Sequence, residues 1–208
     1  GFPGPFWQLR EWCGFEPLCL LFLEDPEFVR EMVDFWTMFV SRTMARVLDA
    51  GVVDAIWISE DMAYKEKSMI SPHMAREFLL PAWSRWVSEG RHAGVRVFDM
   101  DSDGRVDDLI PLWIEAGINV CDPIEVAAGC DINAYRAAFG HGIAYRQGVD
   151  KRCIAKGGKD MEQELARVAP VVKDGGYIPG CDHGVPHDIS WLHFVRYAKR
   201  LAEMTGWL

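Results

Sequence analysis

Three stretches of this chain gather side chains able to hold a metal or move a proton. Cys181, Asp182 and His183 stand side by side in YIPGCDHGVP. A thiolate and an imidazole suit zinc, and carboxylates complete such sites. In a regular strand, alternation sends Cys181 and His183 to one side and Asp182 to the other. Asp99, Asp101 and Asp103 alternate in FDMDSD and so share a strand face. Carboxylates that close repel one another unless a cation or a proton is present, which favours a divalent metal or a carboxyl of raised pKa at Asp101 or Asp103. Glu60 and Asp61 follow AIWIS as a third pair, with Lys65 and Lys67 just beyond as loop charges. Each group also has a plain reading. Asp103 before Gly104 suits a helix cap, Cys181 a small buried hydrophobe, and His183 a structural hydrogen bond. His73, His92, His141, His187 and His193 read as helix or loop positions.

The elements that must position these residues recur along the chain. A helix-like segment ends in glycine, a short apolar strand follows, and polar residues close it. The stretches are LDAGVVDAIWISED, RHAGVRVFDMDSDG, IEAGINVCDPIE, FGHGIAYRQGVD and KDGGYIPGCDH. Gly51, Gly94, Gly117, Gly142 and Gly176 fall where a helix end favours positive φ. Asp25-Pro26 and Ser71-Pro72 read as N-caps with proline in the first turn, and Asp188 as the cap of a last helix. Phe28, Met32, Phe35, Phe39 and Val47 recur near helical spacing, as do Met161, Leu165, Val168 and Val172, with Pro170 as a kink or late break.

Strands alternating with helices predict a parallel sheet, buried on both faces. An open doubly wound sheet loses support because no GxGxxG follows a strand. A barrel predicts functional residues at the C-terminal ends of strands. Those ends carry Glu60 and Asp61, Asp101 and Asp103, Asp122 and Glu125, Asp150 and Lys151, and Asp182 and His183. The fold class is therefore α/β, of the (β/α)8 TIM-barrel type, as one partial domain over residues 1–208. About five C-terminal βα units of the barrel are expected to be present and the first units to be missing.

Bulk properties narrow the function. Half of the 208 residues are hydrophobic, enough for a core, and the net charge of −9 argues against nucleic acid or an anionic membrane surface as partner. No apolar run is long enough to span a membrane, and the first residues lack the layout of a signal peptide. The six cysteines form no CxxC pair and read as reduced thiols of a cytoplasmic protein. GxSxG, P-loop and HExxH motifs are absent, so the chemistries they carry lack support.

ISEDMAYKEKSMISPHMAREFLLPAW, MDSDGRVDDLIPLWIEAGIN and YIPGCDHGVPHDIS resemble the uroporphyrinogen decarboxylase-like superfamily. That superfamily includes the decarboxylase of haem synthesis and corrinoid-dependent methyltransferases. The resemblance covers residues 12 to 200 and implies a (β/α)8 barrel. Its methyltransferase branch holds zinc with a His-x-Cys pair after one strand and a Cys after the last. The matching positions here are Asp101-Ser102-Asp103 and Cys181, so two of those ligands become carboxylates and the site becomes harder and richer in oxygen. The resemblance thus implies Glu60, Asp101, Asp103 and Cys181 as ligands of a divalent metal such as zinc, which acts as a Lewis acid. It implies Asp182, His183 and Glu125 as catalytic groups, with Asp182 or His183 the proton carrier. It further implies a small-molecule substrate and a corrinoid protein as partners. A carboxy-lyase of the uroporphyrinogen decarboxylase kind is the alternative, set back by acidic strand ends that would repel a polycarboxylate. A second alternative is an inactive barrel fragment that dimerises through open sheet edges.

Overall fold

The computed structural model describes residues 1–208, which form two compact units, Gly1–Cys121 and Asp122–Leu208. The first holds β1 (Phe2–Pro3), α1 (Pro5–Cys13), α2 (Phe15–Glu24), α3 (Pro26–Ala50), β2 (Ala55–Ser59), α4 (Pro72–Met74), α5 (Leu80–His92), β3 (Val97–Asp101) and α6 (Ile110–Ala116). Strand β4 (Val120–Asp122) lies at the boundary. The second unit holds α7 (Ile132–Phe139), β5 (Ala144–Val149), α8 (Lys151–Lys156), α9 (Gly158–Asp174), β6 (Tyr177–Cys181) and α10 (Trp191–Thr205). All five expected strands are present. A sixth, β1, is a two-residue strand that no sequence pattern announces.

Strands pair in parallel within each unit, giving the α/β class read from the helix–strand alternation. In the first, Phe2 lies opposite Ile58, and Ala55 to Ser59 run in register with Val97 to Asp101. In the second, Tyr145 to Val149 run in register with Tyr177 to Cys181. This register sets Ser59 beside Asp101 in the first unit and Val149 beside Cys181 in the second.

The helix starts follow local chemistry. Asp25 accepts from the Phe28 amide at 3.2 Å and Ser71 from the Met74 amide at 3.1 Å, each with proline in the first turn. Between α4 and α5 the chain forms a π turn over Ala75–Leu79. Pro81 offers no amide to the Glu77 carbonyl, and the helix widens there instead of breaking. Helix α9 runs through Pro170 to Asp174 without a break. The cap of α10 is Ser190, which accepts from the His193 amide at 3.2 Å, and not Asp188.

Glycine ends its helices less uniformly than expected. Gly117 is left-handed at φ 87°, and Gly94 and Gly176 also have positive φ. Gly51 is extended at φ 175°, and α7 stops at Gly140, two residues before Gly142. The apolar face of α3 is also different. Val29, Val33, Val40 and Met44 are buried, whereas Phe28, Phe35, Phe39 and Val47 are exposed. Both sets recur at helical spacing, so periodicity alone could not separate them. Strand β2 is buried on one side only, with Trp57 exposed on the other.

The first core gathers Phe6, Leu9, Ile58, Trp83, Trp86, Phe98, Met100 and Trp113, all fully buried. The second gathers Ile132, Tyr145, Val149, Ile154 and Val168. Beneath the second unit's strand ends, Arg167 clamps three elements. It donates to Glu164 at 2.7 Å, to Asp131 at 2.7 Å and to the Gly148 carbonyl at 3.0 Å. No helix is long and apolar enough to cross a membrane.

Candidate active site at the strand ends

Glu60 is the first residue past β2 and is wholly buried. Its amide donates to the Asp101 carbonyl at 2.8 Å, which turns its side chain away from the strand line. Oε1 accepts from the Trp83 indole at 2.5 Å, and Oε2 from the Trp7 amide at 3.2 Å. The Phe6 amide also faces it. The carboxyl thus sits on the first turn of α1, where free amides favour an acceptor. Gly4 makes room for it, because a Cβ there would overlap the carboxyl of Glu60. Burial pushes its pKa up to about 8, against the pull of the Trp83, Trp7 and Phe6 donors and of Arg10.

The next residue has a cation. Asp61 takes a φ of 41° and accepts from Arg10 at 3.1 Å through Oδ2, and at 3.0 Å through its backbone carbonyl. Arg10 also lies over the Trp7 ring, 4.5 Å from its centroid.

Asp101 ends β3 and is half-buried. Its Oδ2 accepts from Ser59 Oγ at 2.6 Å, a contact set by the β2–β3 register. Burial raises its pKa, the Ser59 bond lowers it, and Asp103, Asp61 and Asp99 raise it again. The expected repulsion among alternating carboxylates therefore acts on Asp101. Asp103 lies in the loop beyond β3. Helix α6 starts only at Ile110 after Leu109, so Asp103 does not cap it. Between them, buried Ser102 accepts from the Met62 amide at 3.0 Å and fixes the loop after β2.

In the second unit the strand ends hold ion pairs. Asp122 pairs with Arg146 at 3.2 Å. Lys151 lies 3.5 Å from Glu125 and 3.8 Å from Asp182. Asp150 caps α8 and is held by Arg152 at 2.8 Å. Burial raises the Asp150 pKa, but the Arg152 bonds and charge outweigh it and the net shift is downward.

Cys181, Asp182 and His183 part company at the end of β6. Asp182 is wholly buried, Cys181 is half-buried and His183 is exposed. Asp182 Oδ2 accepts from the Val126 amide at 3.0 Å and Oδ1 from the Lys151 amide at 3.0 Å. Burial raises its pKa while the Lys151 amide and ammonium lower it. It ties the loop after β4 and the start of α8 to the end of β6. Both its oxygens accept from backbone amides, so Asp182 acts here as a tie between these segments. Burial raises the Cys181 thiol pKa above its ordinary value. No two of the six cysteines are joined by a disulfide.

The ligand set expected for zinc does not fit. Glu60 is enclosed and both its oxygens are engaged. No grouping of three or more His, Cys, Asp or Glu is placed to hold a metal ion. Sequence reasoning also passed over Trp83, the buried donor to Glu60, and Gln147 in β5. A signal for Gln147 was present in Gly148, since a glycine inside a strand marks a bend or a close approach of a neighbour.

Comparison with known proteins gives the family. No curated protein matches the chain. Among solved structures, a methyltransferase from Methanosarcina mazei superposes with a TM-score of 0.69 at 15% sequence identity. The match covers 97% of this chain and 56% of that one, so the chain spans little more than half the length of that neighbour. At such identity the likeness carries the fold, an α/β part-barrel. Residues 4–200 match the family described as uroporphyrinogen decarboxylase (URO-D). With nearly the whole chain matched, this protein belongs to the uroporphyrinogen decarboxylase family.

Proposed function

We propose that the protein is a methyltransferase of the uroporphyrinogen decarboxylase-like superfamily, taking a methyl group from a corrinoid protein and passing it to a small substrate, or the reverse. The observation that carries this reading is the pairing of strand-end cations with carboxylates. Arg10 faces Asp61, Arg146 faces Asp122, Lys151 faces Glu125 and Asp182, and Arg152 faces Asp150. A decarboxylase of porphyrinogens must receive a ring of carboxylates, and these cations are already neutralised. The acid cluster around Asp101 would repel such a substrate further.

Asp101 is the group assigned to the proton. Methyl acceptance by a hydroxyl or thiol releases one, and a half-buried carboxyl with raised pKa is a competent base near neutral pH. Its Oδ2 is oriented by Ser59, and its Oδ1 is left for the acceptor's proton. The methyl-bearing corrinoid supplies the electrophilic methyl group when bound. Glu125 and His183 line the second unit's strand ends as groups able to contact substrate.

The test uses the whole protein with methylcobalamin and 2-mercaptoethanol, following loss of the methyl–cobalt absorbance. Methyl transfer well above the protein-free rate, with no carbon dioxide released from uroporphyrinogen, is the expected result. Decarboxylation without methyl transfer would replace this reading with the carboxy-lyase one. Neither activity, in a protein that self-associates, would favour the inactive dimer.

A further inference from the structure

Gln147 lies inside β5 with a φ of 70°, in the left-handed region that a non-glycine residue of a strand avoids. Gly148 follows with φ 83°. Two such residues in succession depart from the strand conformation while the pairing with β6 continues through Gln147–Pro179 and Gly148–Gly180. The conformation is held by the adjacent strand. Buried Tyr177 of β6 donates from its hydroxyl to the Gln147 carbonyl at 2.5 Å. Glycine suits 148, because φ 83° strains other residues and a Cβ there would lie a tight 3.1 Å from Tyr177 Oη and 3.2 Å from Ile124 Cβ. In register with it on β6 is Gly180, which leaves the neighbouring strand bare beside the Gln147 side chain.

The side chain itself is incomplete. Gln147 Oε1 is buried and accepts no hydrogen bond. Buried amide oxygens without a donor are rare because each forfeits its hydration for nothing. A strained backbone and an unsatisfied acceptor thus coincide on one residue. Both lie toward the C-terminal end of a strand, where barrels of this class bind their ligands. The Tyr177 bond holds the backbone, but no group of the protein donates to the side-chain oxygen. Such strain persists where a site requires it.

We propose that Gln147 is a ligand-binding residue whose side-chain oxygen accepts a hydrogen bond from a hydroxyl or amine of a small substrate. This rests on the reading of the strand ends as the active site. It adds a substrate class, molecules carrying an O–H or N–H donor. A ligand offering only acceptors, such as an ester, would leave the oxygen unpaired and be rejected.

The experiment is NMR on the 15N-labelled whole protein, with 1-propanol, propylammonium and methyl acetate as probes. The Gln147 side-chain amide is assigned by its loss in Gln147→Gly. A donor probe should shift that amide and the Val149 amide, and methyl acetate at equal concentration should not. Gln147→Gly should melt several degrees higher, since glycine adopts φ 70° freely. It should also bind the donor probe at least threefold more weakly, read at Val149. Equal shifts with methyl acetate, no shift with either donor, or a lower melting temperature for Gln147→Gly would each overturn the proposal. Donor-selective shifts in a protein without methyl transfer would remove the transferase reading and leave this one standing. Methyl transfer with unchanged KM in Gln147→Gly would do the opposite.

Discussion

Glu60 and Asp182 hold the same place in their two units. Each is the first residue past a strand, each is wholly buried, and each accepts from backbone amides at the start of a helix or loop. Their neutralisation differs. Glu60 meets an indole N–H and the first turn of α1, and its pKa rises to about 8. Asp182 meets the Lys151 ammonium at 3.8 Å as well as amides. Strand-end position therefore does not decide what an acid does; the neighbour that balances its charge does. By that standard Asp101 stands apart from both. It is only half-buried, held by one hydroxyl, and crowded by other acids. Glu60 and Asp182 each tie neighbouring segments together within their own unit, whereas the Asp101 carboxyl keeps fewer partners and more exposure.

The contrast is most easily broken at Glu60. Replacement by alanine strands the Trp83 indole and the α1 amides in a buried space and should cost about 3 kcal/mol, read as a lower urea midpoint. Asp182→Ala strands the Val126 and Lys151 amides. It should cost about 2 kcal/mol and speed hydrogen exchange at those two amides first. A cost at Asp182 larger than at Glu60 would reverse the comparison.

The pH dependence sharpens it. Glu60 is raised in the folded state, so its protonated form favours folding at low pH. That contribution fades as pH rises from the ordinary carboxylate range through about 8. Stability should fall across that window by up to about 1.4 kcal/mol per unit of pH, and Glu60→Gln should flatten the fall. Asp150 is lowered in the folded state, so its contribution has the opposite sign. It is present above the ordinary carboxylate range and is lost as pH falls through the lowered value. Asp150→Asn should therefore remove stability at neutral pH and leave the acid end little changed. The smallest effect is expected from Lys151→Met. It removes a cation from Glu125 and Asp182, raises the Asp182 pKa further, and should cost about 1 kcal/mol at neutral pH.

Much of this was legible in the sequence. The repeat of helix, glycine, strand and acid gave five strands and a parallel sheet, because each unit writes its own boundaries in a few residues. The proline-led caps at Asp25 and Ser71 were equally local. What was not legible depended on distant partners. Glu60 looked like a ligand because Trp83 and Trp7, its donors, lie 23 and 53 residues away. The buried face of α3 could not be chosen because Val29, Val33 and Val40 repeat as regularly as Phe28, Phe35 and Phe39. The role of Asp182 was hidden for the same reason, since the amides it holds belong to two other segments.

The most direct test is the pH–rate profile of methyl transfer from methylcobalamin to 2-mercaptoethanol, for the unaltered protein and for Asp101→Asn. The account predicts an acid limb set by a carboxyl titrating above its ordinary range, and in Asp101→Asn the loss of that limb with a rate about 100-fold lower. An unchanged profile and rate in Asp101→Asn would contradict it.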